Sequence, residues 1–300
     1  MQKIQYLKQR LANNETIIMD GGMGSEILNR GISTTLPLWS AEVLLQHPEI
    51  VQHIHEDYIG AGAEIIITDT FRTTRRAFAK KEMVERATAM TRLACEKAHQ
   101  AVTNTKPAHE VYIVGSVAPL EECYSPQLTP SPEELTREHN ELISDLKDGG
   151  VDFILFETMI TLRETVSGIH AAQRYNVPFA VSFCCNDQSE LLSGEALRDV
   201  IPQIEPYQPL FISINCISVA NANKLVKQLR TMTDLPIGVY AQGDGDTDDE
   251  QGWQFGEEQD KEAAYLLAAK QWREDGAQVI GGCCGTTPSY IQQLAELFHE

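Results

Sequence analysis

Phe153-Ile-Leu-Phe-Glu-Thr158 is a short apolar run that ends in a carboxylate and a hydroxyl. Seven more runs of this kind recur along the chain, separated by segments with helical patterns. Their continuous apolar interiors are typical of parallel strands buried on both faces, because a strand with one solvated face alternates apolar and polar residues. We therefore predict eight strands, at residues 16–20, 64–69, 111–117, 153–158, 179–185, 211–216, 236–242 and 278–283.

The segments between the strands carry signals for helix starts. Ser131 is followed by a proline and, three residues on, by Glu134, which predicts a capping box at the start of a helix. Thr161 and Glu164 predict a second capping box. Alternating strands and helices imply a parallel sheet, and eight units favour a single-domain (β/α)8 TIM barrel over residues 1–300. An open, doubly wound sheet is the alternative architecture.

The composition limits the partners of the chain. Its formal net charge of −19 at pH 7 argues against nucleic acids and anionic membranes. No apolar run approaches the roughly 18 residues that a membrane-spanning helix needs. The first residues lack the continuous apolar region of a secretory signal. We expect a cytoplasmic protein that acts on small molecules, while its oligomeric state stays open.

Three cysteines lie where predicted strands end. Cys216 closes the sixth strand, and Cys283 and Cys284 follow the eighth within Gly281-Gly-Cys-Cys-Gly285. In a barrel, the carboxyl ends of all strands form one rim, and active sites of this fold lie there. Cytoplasmic thiols stay reduced, so a metal-binding or catalytic role outranks a disulfide. Three thiols at two strand tips are well placed to hold a soft metal ion.

Zinc is the metal that suits such a set of thiols. Three thiolates and an open fourth position form a tetrahedral site of the catalytic type, whereas iron–sulfur clusters normally use four cysteines. The alternative is that these cysteines are ordinary buried residues. We prefer that alternative for the other four cysteines of the chain, Cys95, Cys123, Cys184 and Cys185.

A zinc ion with three thiolate ligands would be a poor Lewis acid towards water, because its ligands supply three negative charges. An incoming thiol would still lose its proton on binding. Its sulfur would remain electron-rich and nucleophilic at neutral pH. The thiol set therefore predicts alkyl transfer to sulfur.

Carboxylates and glycines share the same predicted rim. Asp20 and Glu157 can receive the ammonium group of an amino-acid substrate, and the turn at Gly21 and Gly22 exposes N–H groups that can bind a carboxylate. The alternatives are a structural carboxylate at Glu157 and a merely tight turn at the glycines. No histidine lies at a predicted strand tip. Five fall on predicted helices, where we expect solvated side chains: His47, His53, His55, His99 and His139.

Seven motifs in order along the chain resemble those of a known family. They are Asp20-Gly-Gly-Met-Gly, Leu38-Trp-Ser-Ala41, Thr68-Asp-Thr-Phe71, Gly115-Ser-Val-Ala-Pro119, Phe156-Glu-Thr158, Ile214-Asn-Cys216 and Gly281-Gly-Cys-Cys-Gly-Thr-Thr-Pro288. Together they resemble the zinc-dependent homocysteine S-methyltransferases, which include the S-methylmethionine- and betaine-dependent enzymes. The pairing of Asn-Cys with Gly-Gly-Cys-Cys-Gly is the most specific part of the resemblance.

The resemblance implies roles for individual residues. It implies a (β/α)8 barrel that holds Zn²⁺ on three cysteines and binds homocysteine through two carboxylates and a glycine turn. The residues in these roles are Cys216, Cys283 and Cys284 for zinc, and Asp20, Gly21, Gly22 and Glu157 for homocysteine. The residues expected on the methyl-donor side are Trp39, Asp69, Thr70 and Tyr240.

Two features depart from the family pattern. Asp69 stands where relatives often have asparagine, and Tyr240-Ala-Gln242 stands where many read Tyr-Pro-Asn. An acidic loop at residues 244–250 follows, which we expect to be solvated. Because these features lie near the donor side, the identity of the donor is the least determined part of the prediction.

We expect the protein to transfer a methyl group from a small donor to the zinc-bound thiolate of homocysteine, giving methionine. A sulfonium such as S-methylmethionine is the first choice, since its positive charge is lost in the transfer and no general acid is needed. Two alternatives remain at this point. The acceptor is another thiol or a selenol, or the chain is a non-catalytic barrel with a structural zinc site.

Overall fold

A ring of eight parallel strands forms the centre of the molecule. The computed structural model describes residues 2–247, 252–256 and 261–299. Within these ranges the strands are β1 (Ile17–Ile18), β2 (Ile65–Ile67), β3 (Tyr112–Val117), β4 (Phe153–Met159), β5 (Phe179–Phe183), β6 (Ile212–Asn215), β7 (Ile237–Ala241) and β8 (Ala277–Gly282). They follow the order β1-β8-β7-β6-β5-β4-β3-β2, and every neighbouring pair is parallel.

The first and second strands close the ring. Met19 and Ile65 form a parallel bridge. The Asp20 N–H donates to the Ile65 carbonyl at 2.9 Å, and the Glu64 N–H donates to the Ile18 carbonyl at 2.8 Å. The predicted (β/α)8 barrel is therefore confirmed, and the open doubly wound alternative is wrong.

Helices surround the ring of strands. The described ranges contain α1 (Gln2–Ala12), α2 (Met23–Asn29), α3 (Ala41–Gln46), α4 (Pro48–Gly60), α5 (Arg75–Ala79), α6 (Ala87–Thr105), α7 (Pro132–Asp148), α8 (Leu162–Tyr175), α9 (Leu197–Ile204), α10 (Val219–Met232), α11 (Lys261–Glu274) and α12 (Pro288–His299). None of these helices combines the length and the apolar character that a membrane span requires.

The two predicted capping boxes have different outcomes. Ser131 and Glu134 form the full reciprocal pair at the start of α7. Thr161 caps α8 by accepting from the Glu164 N–H. The Glu164 side chain does not return this bond, because its carboxylate accepts the Leu120 N–H at 2.8 Å instead. The bond between Leu120 and Glu164 ties the loop after β3 to α8.

The apolar core has an inner and an outer layer. The outer layer lies between strands and helices, and the inner layer fills the barrel. Helix α1 contributes Leu7 and Leu11 to the inner layer, together with residues at strand starts such as Tyr112 and Phe153. Because α1 occupies the amino-terminal end of the barrel, the carboxyl-terminal end is left for a binding site.

Two of the histidines contradict the expectation of solvated side chains. His55 and His139 are fully buried. His55 shares the inner face of α4 with Val51 and Tyr58, and His139 shares that of α7 with Leu135. Their helical spacing from apolar neighbours carried this information, since positions three and four residues apart share one face.

The acidic loop lies partly outside the described residues. Asp248, Asp249 and Glu250 belong to that part, so the prediction for them stays untested. Asp246 precedes that part and Gln254 follows it, and these two residues exchange two backbone hydrogen bonds of 2.9 Å each. This bridge brings the described ends of the loop together beside the carboxyl end of the barrel.

Candidate functional site

A pocket of about 280 Å³ opens at the carboxyl end of the barrel. Residues at or just after the ends of seven strands contribute to its lining, β5 being the exception. They are Gly21, Asp69, Ser116, Glu157, Cys216, Tyr240 and Cys283. Side chains that are far apart in the sequence therefore meet in one place, as a barrel rim requires.

Three thiols meet on one side of this pocket. The Sγ atoms of Cys216, Cys283 and Cys284 lie within 4.8 Å of one another, and those of Cys216 and Cys283 are 3.3 Å apart. Cys216 follows β6 with a left-handed backbone (φ = 56°). The Cys283 N–H donates to the Ala241 carbonyl at 2.9 Å, which fixes the turn after β8.

The chemistry of this donor set fits a soft divalent cation. A hydrogen bond with a neighbouring sulfur, together with burial, raises the pKa of Cys216 and of Cys284 well above the ordinary value. The bond with Cys216 lowers the pKa of Cys283, but the bond with Cys284 and burial outweigh it, so this pKa is raised as well. Three adjacent thiolates therefore need a positive charge to compensate them, which a metal ion supplies. Among the described residues, no histidine or carboxylate joins this group. The group thus offers three ligands and leaves a fourth position for another molecule.

The other four cysteines are buried, as predicted. Two of them nevertheless lie near the site. Cys123 lines the pocket, and the Cys184 thiol lies 3.7 Å from the Cys216 carbonyl. Burial raises the pKa of Cys123 to about 12, so this thiol stays protonated at neutral pH.

Glu157 and Asp20 lie beneath the pocket opening with different environments. Glu157 lines the pocket, accepts a hydrogen bond from the Ser116 hydroxyl, and has its pKa raised to about 7 by burial. Asp20 does not line the pocket. Its Oδ2 accepts the Ile67 N–H at 2.7 Å, while its Oδ1 is buried without a partner. Burial, and then the charge of Glu157, raise the pKa of Asp20 well above its usual range.

The glycine turn packs against the turn that carries the cysteines. A Cβ atom on Gly22 would lie 2.8 Å from the Cys283 carbonyl oxygen, and one on Gly21 would lie 2.8 Å from the Tyr58 hydroxyl. The Gly22 N–H donates to Thr286 Oγ1 at 3.3 Å. Close packing therefore explains both glycines, and binding of a substrate carboxylate by the Gly22 N–H would have to replace the bond to Thr286.

The predicted donor-side residues divide into two groups. Trp39, Asp69 and Tyr240 line the pocket. Thr70 does not, because it is fully buried and its hydroxyl donates to the Ser116 carbonyl at 2.8 Å. Its contact is thus with the backbone of β3, and the structure does not support its predicted place on the donor side.

The donor-side residues that line the pocket carry unsatisfied polar groups. Trp39 has a left-handed backbone (φ = 49°) and packs edge-on against Phe71 at 6.1 Å between ring centroids. The Trp39 indole N–H and the Tyr240 hydroxyl are buried without hydrogen-bond partners. Asp69 accepts a bond from the Ser40 hydroxyl through Oδ1, while its buried Oδ2 has no partner. Burial raises the pKa of Asp69 to about 6.

Sequence reasoning missed two pocket residues on and near the loop after β3. The Tyr124 hydroxyl lies 3.3 Å from Cys216 Sγ. Arg72 lines the pocket and donates to the Glu121 carbonyl at 2.8 Å, which holds this loop in place. Arg76 adds a salt bridge of 3.0 Å to the Glu121 carboxylate. The sequence contained a signal for this contact. Several basic residues precede α6, and the acidic pair at 121–122 can form ion pairs with them.

Comparison with known proteins agrees with this site. Residues 17–298 match the family profile described as homocysteine S-methyltransferase. A homocysteine S-methyltransferase of Escherichia coli (strain K12) is 31% identical over 303 residues, covering 96% of this chain and 97% of that protein. A selenocysteine methyltransferase of Astragalus bisulcatus is 26% identical over 317 residues, covering 93% of this chain and 91% of that protein.

A solved structure adds evidence about the metal. The metallated form of the homocysteine methyltransferase MmuM from Escherichia coli is similar with a TM-score of 0.83 and 28% identity, covering 94% of this chain and 96% of that chain. This likeness and the three-thiol group together indicate a metal site. The matched profile spans nearly the whole chain, and the chain belongs to the homocysteine S-methyltransferase family.

Proposed function

We propose that this protein transfers a methyl group from a sulfonium donor, with S-methylmethionine as the first choice, to the sulfur of homocysteine and so forms methionine. The observation that carries the proposal is the meeting of three thiols with the buried carboxylate of Glu157 in one pocket. Homocysteine carries a thiol and an ammonium group, and these are the groups that such a pocket recognises. Family membership supports the same reaction.

Zinc is the ion we propose for the three thiols. Zn²⁺ held by Cys216, Cys283 and Cys284 would provide a fourth position that lowers the pKa of an incoming thiol and so favours its thiolate. Glu157 lines the same pocket as these three cysteines. A substrate with a sulfur at one end and an amino group at the other can therefore contact both.

Glu157 and Asp20 recognise the amino group in this proposal. A nearby ammonium favours the ionised form of a carboxylate, so substrate binding draws Glu157 into its charged state. The Ser116 hydroxyl donates to Glu157 and orients it. Asp20 lies behind the pocket wall with one oxygen that has no other partner, and the bound ammonium would favour its ionised form in the same way. Gly21 and Gly22 are proposed to receive the substrate carboxylate in exchange for the bond to Thr286.

The donor half of the pocket suits a cation. Trp39 lines it with an aromatic ring, and Asp69 supplies a carboxylate oxygen without a partner. The face of Phe71 is already occupied by a cation, since the Arg72 guanidinium lies 5.0 Å from its ring centroid. Aromatic faces and carboxylates both attract onium groups.

In the transfer, the homocysteine sulfur forms a bond to the methyl carbon while the donor S–CH₃ bond breaks. The electron pair returns to the donor sulfur, which leaves as a neutral thioether, so the pocket needs no proton donor.

A donor panel tests the reaction. Purified zinc-loaded protein is incubated with homocysteine and S-methylmethionine, S-adenosylmethionine, betaine or a methylfolate, and methionine is quantified. We expect methionine with the sulfonium donors and fastest turnover with S-methylmethionine. If methionine forms only with betaine or methylfolate, the proposed donor class is wrong.

A pair of cysteine variants tests the metal. Cys216→Ala removes a proposed ligand, whereas Cys95→Ala removes a buried thiol that does not line the pocket. We expect zinc content and methyl transfer to be lost in Cys216→Ala and kept in Cys95→Ala. Methyl transfer by a metal-free Cys216→Ala protein would contradict the proposal.

A selenol acceptor is the second candidate function. The similarity to a selenocysteine methyltransferase supports it, and a selenolate would bind a soft metal by the same chemistry. Competition between homocysteine and selenocysteine for one donor measures the ratio of kcat/KM values. A ratio in favour of homocysteine supports the first candidate.

A further inference from the structure

Asn215 links three neighbouring strands at the rim of the barrel. It is the last residue of β6 and is fully buried. Its Oδ1 accepts the Thr158 N–H at 3.0 Å and the Ser182 hydroxyl at 2.7 Å. Its Nδ2 donates to Thr158 Oγ1 at 2.8 Å. One amide thus reaches from β6 past β5 to the end of β4.

The partner of this amide has an unusual backbone. Thr158 adopts a left-handed conformation (φ = 55°), which β-branched residues rarely adopt because of steric clash. The pairing of β4 with β5 also shifts register between Phe156 and Met159. The strand is therefore irregular directly after Glu157, and it pairs with β5 again at Met159. Such a conformation persists only where the surroundings hold it, and the Asn215 amide holds both the N–H and the hydroxyl of Thr158.

The residue that follows Asn215 in the chain has the same kind of backbone conformation as Thr158. Cys216 directly follows it and has a φ of 56°. The Asn215 side chain is thus bonded to the neighbour of Glu157, while its backbone leads straight into a proposed metal ligand. Within the described part of the chain, no other side-chain hydrogen bond joins the ends of β4 and β6.

We propose that Asn215 is a positioning residue that sets the distance between the amino-group end of the homocysteine site at Glu157 and the sulfur end at Cys216. This inference rests on the proposed function, in which one substrate spans both ends. Asn215 touches neither substrate nor metal. It acts through Thr158 on the carboxylate and through the backbone on the thiol.

Asn221 provides a matched control for the loss of a buried amide. It lies on α10, and its Nδ2 donates to the Cys185 carbonyl at 3.1 Å. It does not line the pocket. Asn215→Ala and Asn221→Ala both remove a buried amide from the same side of the barrel, so an effect common to both variants is structural.

The experiment measures the two ends of the site separately. Zinc affinity is measured by competition with a chelating dye in the absence of substrate. The KM is measured for homocysteine and for 4-mercaptobutanoate, which has the same thiol and carboxylate but no amino group. The ratio of the two KM values reports recognition of the amino group. A general loss of stability or of metal changes both KM values alike and so leaves their ratio unchanged.

We expect Asn215→Ala to weaken zinc binding by about tenfold to a hundredfold, the usual effect of losing a group that orients a metal ligand. We also expect it to raise the KM for homocysteine much more than the KM for 4-mercaptobutanoate. Asn221→Ala should lower the melting temperature and change neither quantity. The inference is overturned if Asn215→Ala matches Asn221→Ala, or if only one end of the site responds.

Thr158 variants keep the inference testable if Asn215→Ala fails to fold. Thr158→Val preserves the shape and the backbone N–H but removes the Oγ1 acceptor. It should therefore weaken zinc binding and raise the ratio of the two KM values, each by less than Asn215→Ala does. Thr158→Ser restores the hydroxyl and should recover them. Absence of methyl transfer in the wild type would instead contradict the proposed function, and the zinc measurement without substrate would still test the link to Cys216.

Discussion

His55 offers a prediction about stability whose size follows from the structure. The imidazole is fully buried on α4, and neither ring nitrogen has a hydrogen-bond partner. Burial lowers the pKa of His55 from 6.5 to about 4, because the charged form cannot be solvated. The unfolded chain therefore takes up a proton below about pH 6.5, whereas the folded protein does so only near pH 4.

Linkage between protonation and folding gives the magnitude. A difference of about 2.5 pKa units corresponds to about 3 kcal/mol, since one unit is worth about 1.4 kcal/mol. Stability falls as the pH falls through this window and levels off below the folded-state value. Between pH 7 and pH 5, His55 should account for a loss of about 2 kcal/mol in the free energy of unfolding.

Urea unfolding at pH 7 and pH 5 measures this loss. His55→Leu removes the titrating group and fills the same apolar space. His53→Gln, at an exposed position on the same helix, is the control. The loss of stability between the two pH values should be about 2 kcal/mol smaller in His55→Leu than in the wild type and the control. Equal losses in all three proteins would refute the burial argument.

Three further predictions concern the site. Glu157→Gln should raise the KM for homocysteine by about tenfold to a hundredfold, the effect of losing one charged hydrogen bond. Because the pKa of Glu157 is about 7, kcat/KM of the wild type should fall below that pH as the carboxylate takes a proton, and the variant should lack this dependence. Gly22→Ala should weaken zinc binding in a chelator competition, since its Cβ would displace the Cys283 carbonyl. Unchanged zinc affinity would show that the turn adapts. Tyr124→Phe should speed alkylation of Cys216 by iodoacetamide in metal-free protein, because it loses the contact of 3.3 Å to the thiol. Equal alkylation rates would show that the phenol does not shield this sulfur.

The fold was predictable because its signals are local and repeated. Each strand of the barrel is an apolar run, and eight such runs with helices between them leave few alternative architectures. The capping box at Ser131 depends on residues three positions apart, so the sequence contains all of it. The second box failed at Glu164, whose carboxylate bonds to Leu120, 44 residues earlier in the chain. A competing partner at that distance leaves no local signal.

The site was predictable where chemistry and strand position coincide. Cys216, Cys283 and Cys284 lie at strand tips, and a barrel brings such tips together whatever their separation in sequence. Thr70 shows the limit of this rule, since a residue beside a strand tip can face the backbone of β3 instead of the pocket. Tyr124 shows another limit. It reaches the pocket from a loop, whose path follows from long-range contacts such as Arg72 with Glu121.

Local rules fail at this rim where the site is built. Thr158 and Cys216, two residue types that disfavour a left-handed backbone, adopt it beside the proposed amino-group and sulfur contacts. Sequences generally agree with their local structure, and exceptions concentrate at functional sites. Asn215 lies between the two exceptions, bonded to one and adjacent to the other. Its two bonds to Thr158 hold that residue in the left-handed conformation, and its place in the chain directly before Cys216 is why we propose that the same amide also positions the thiol.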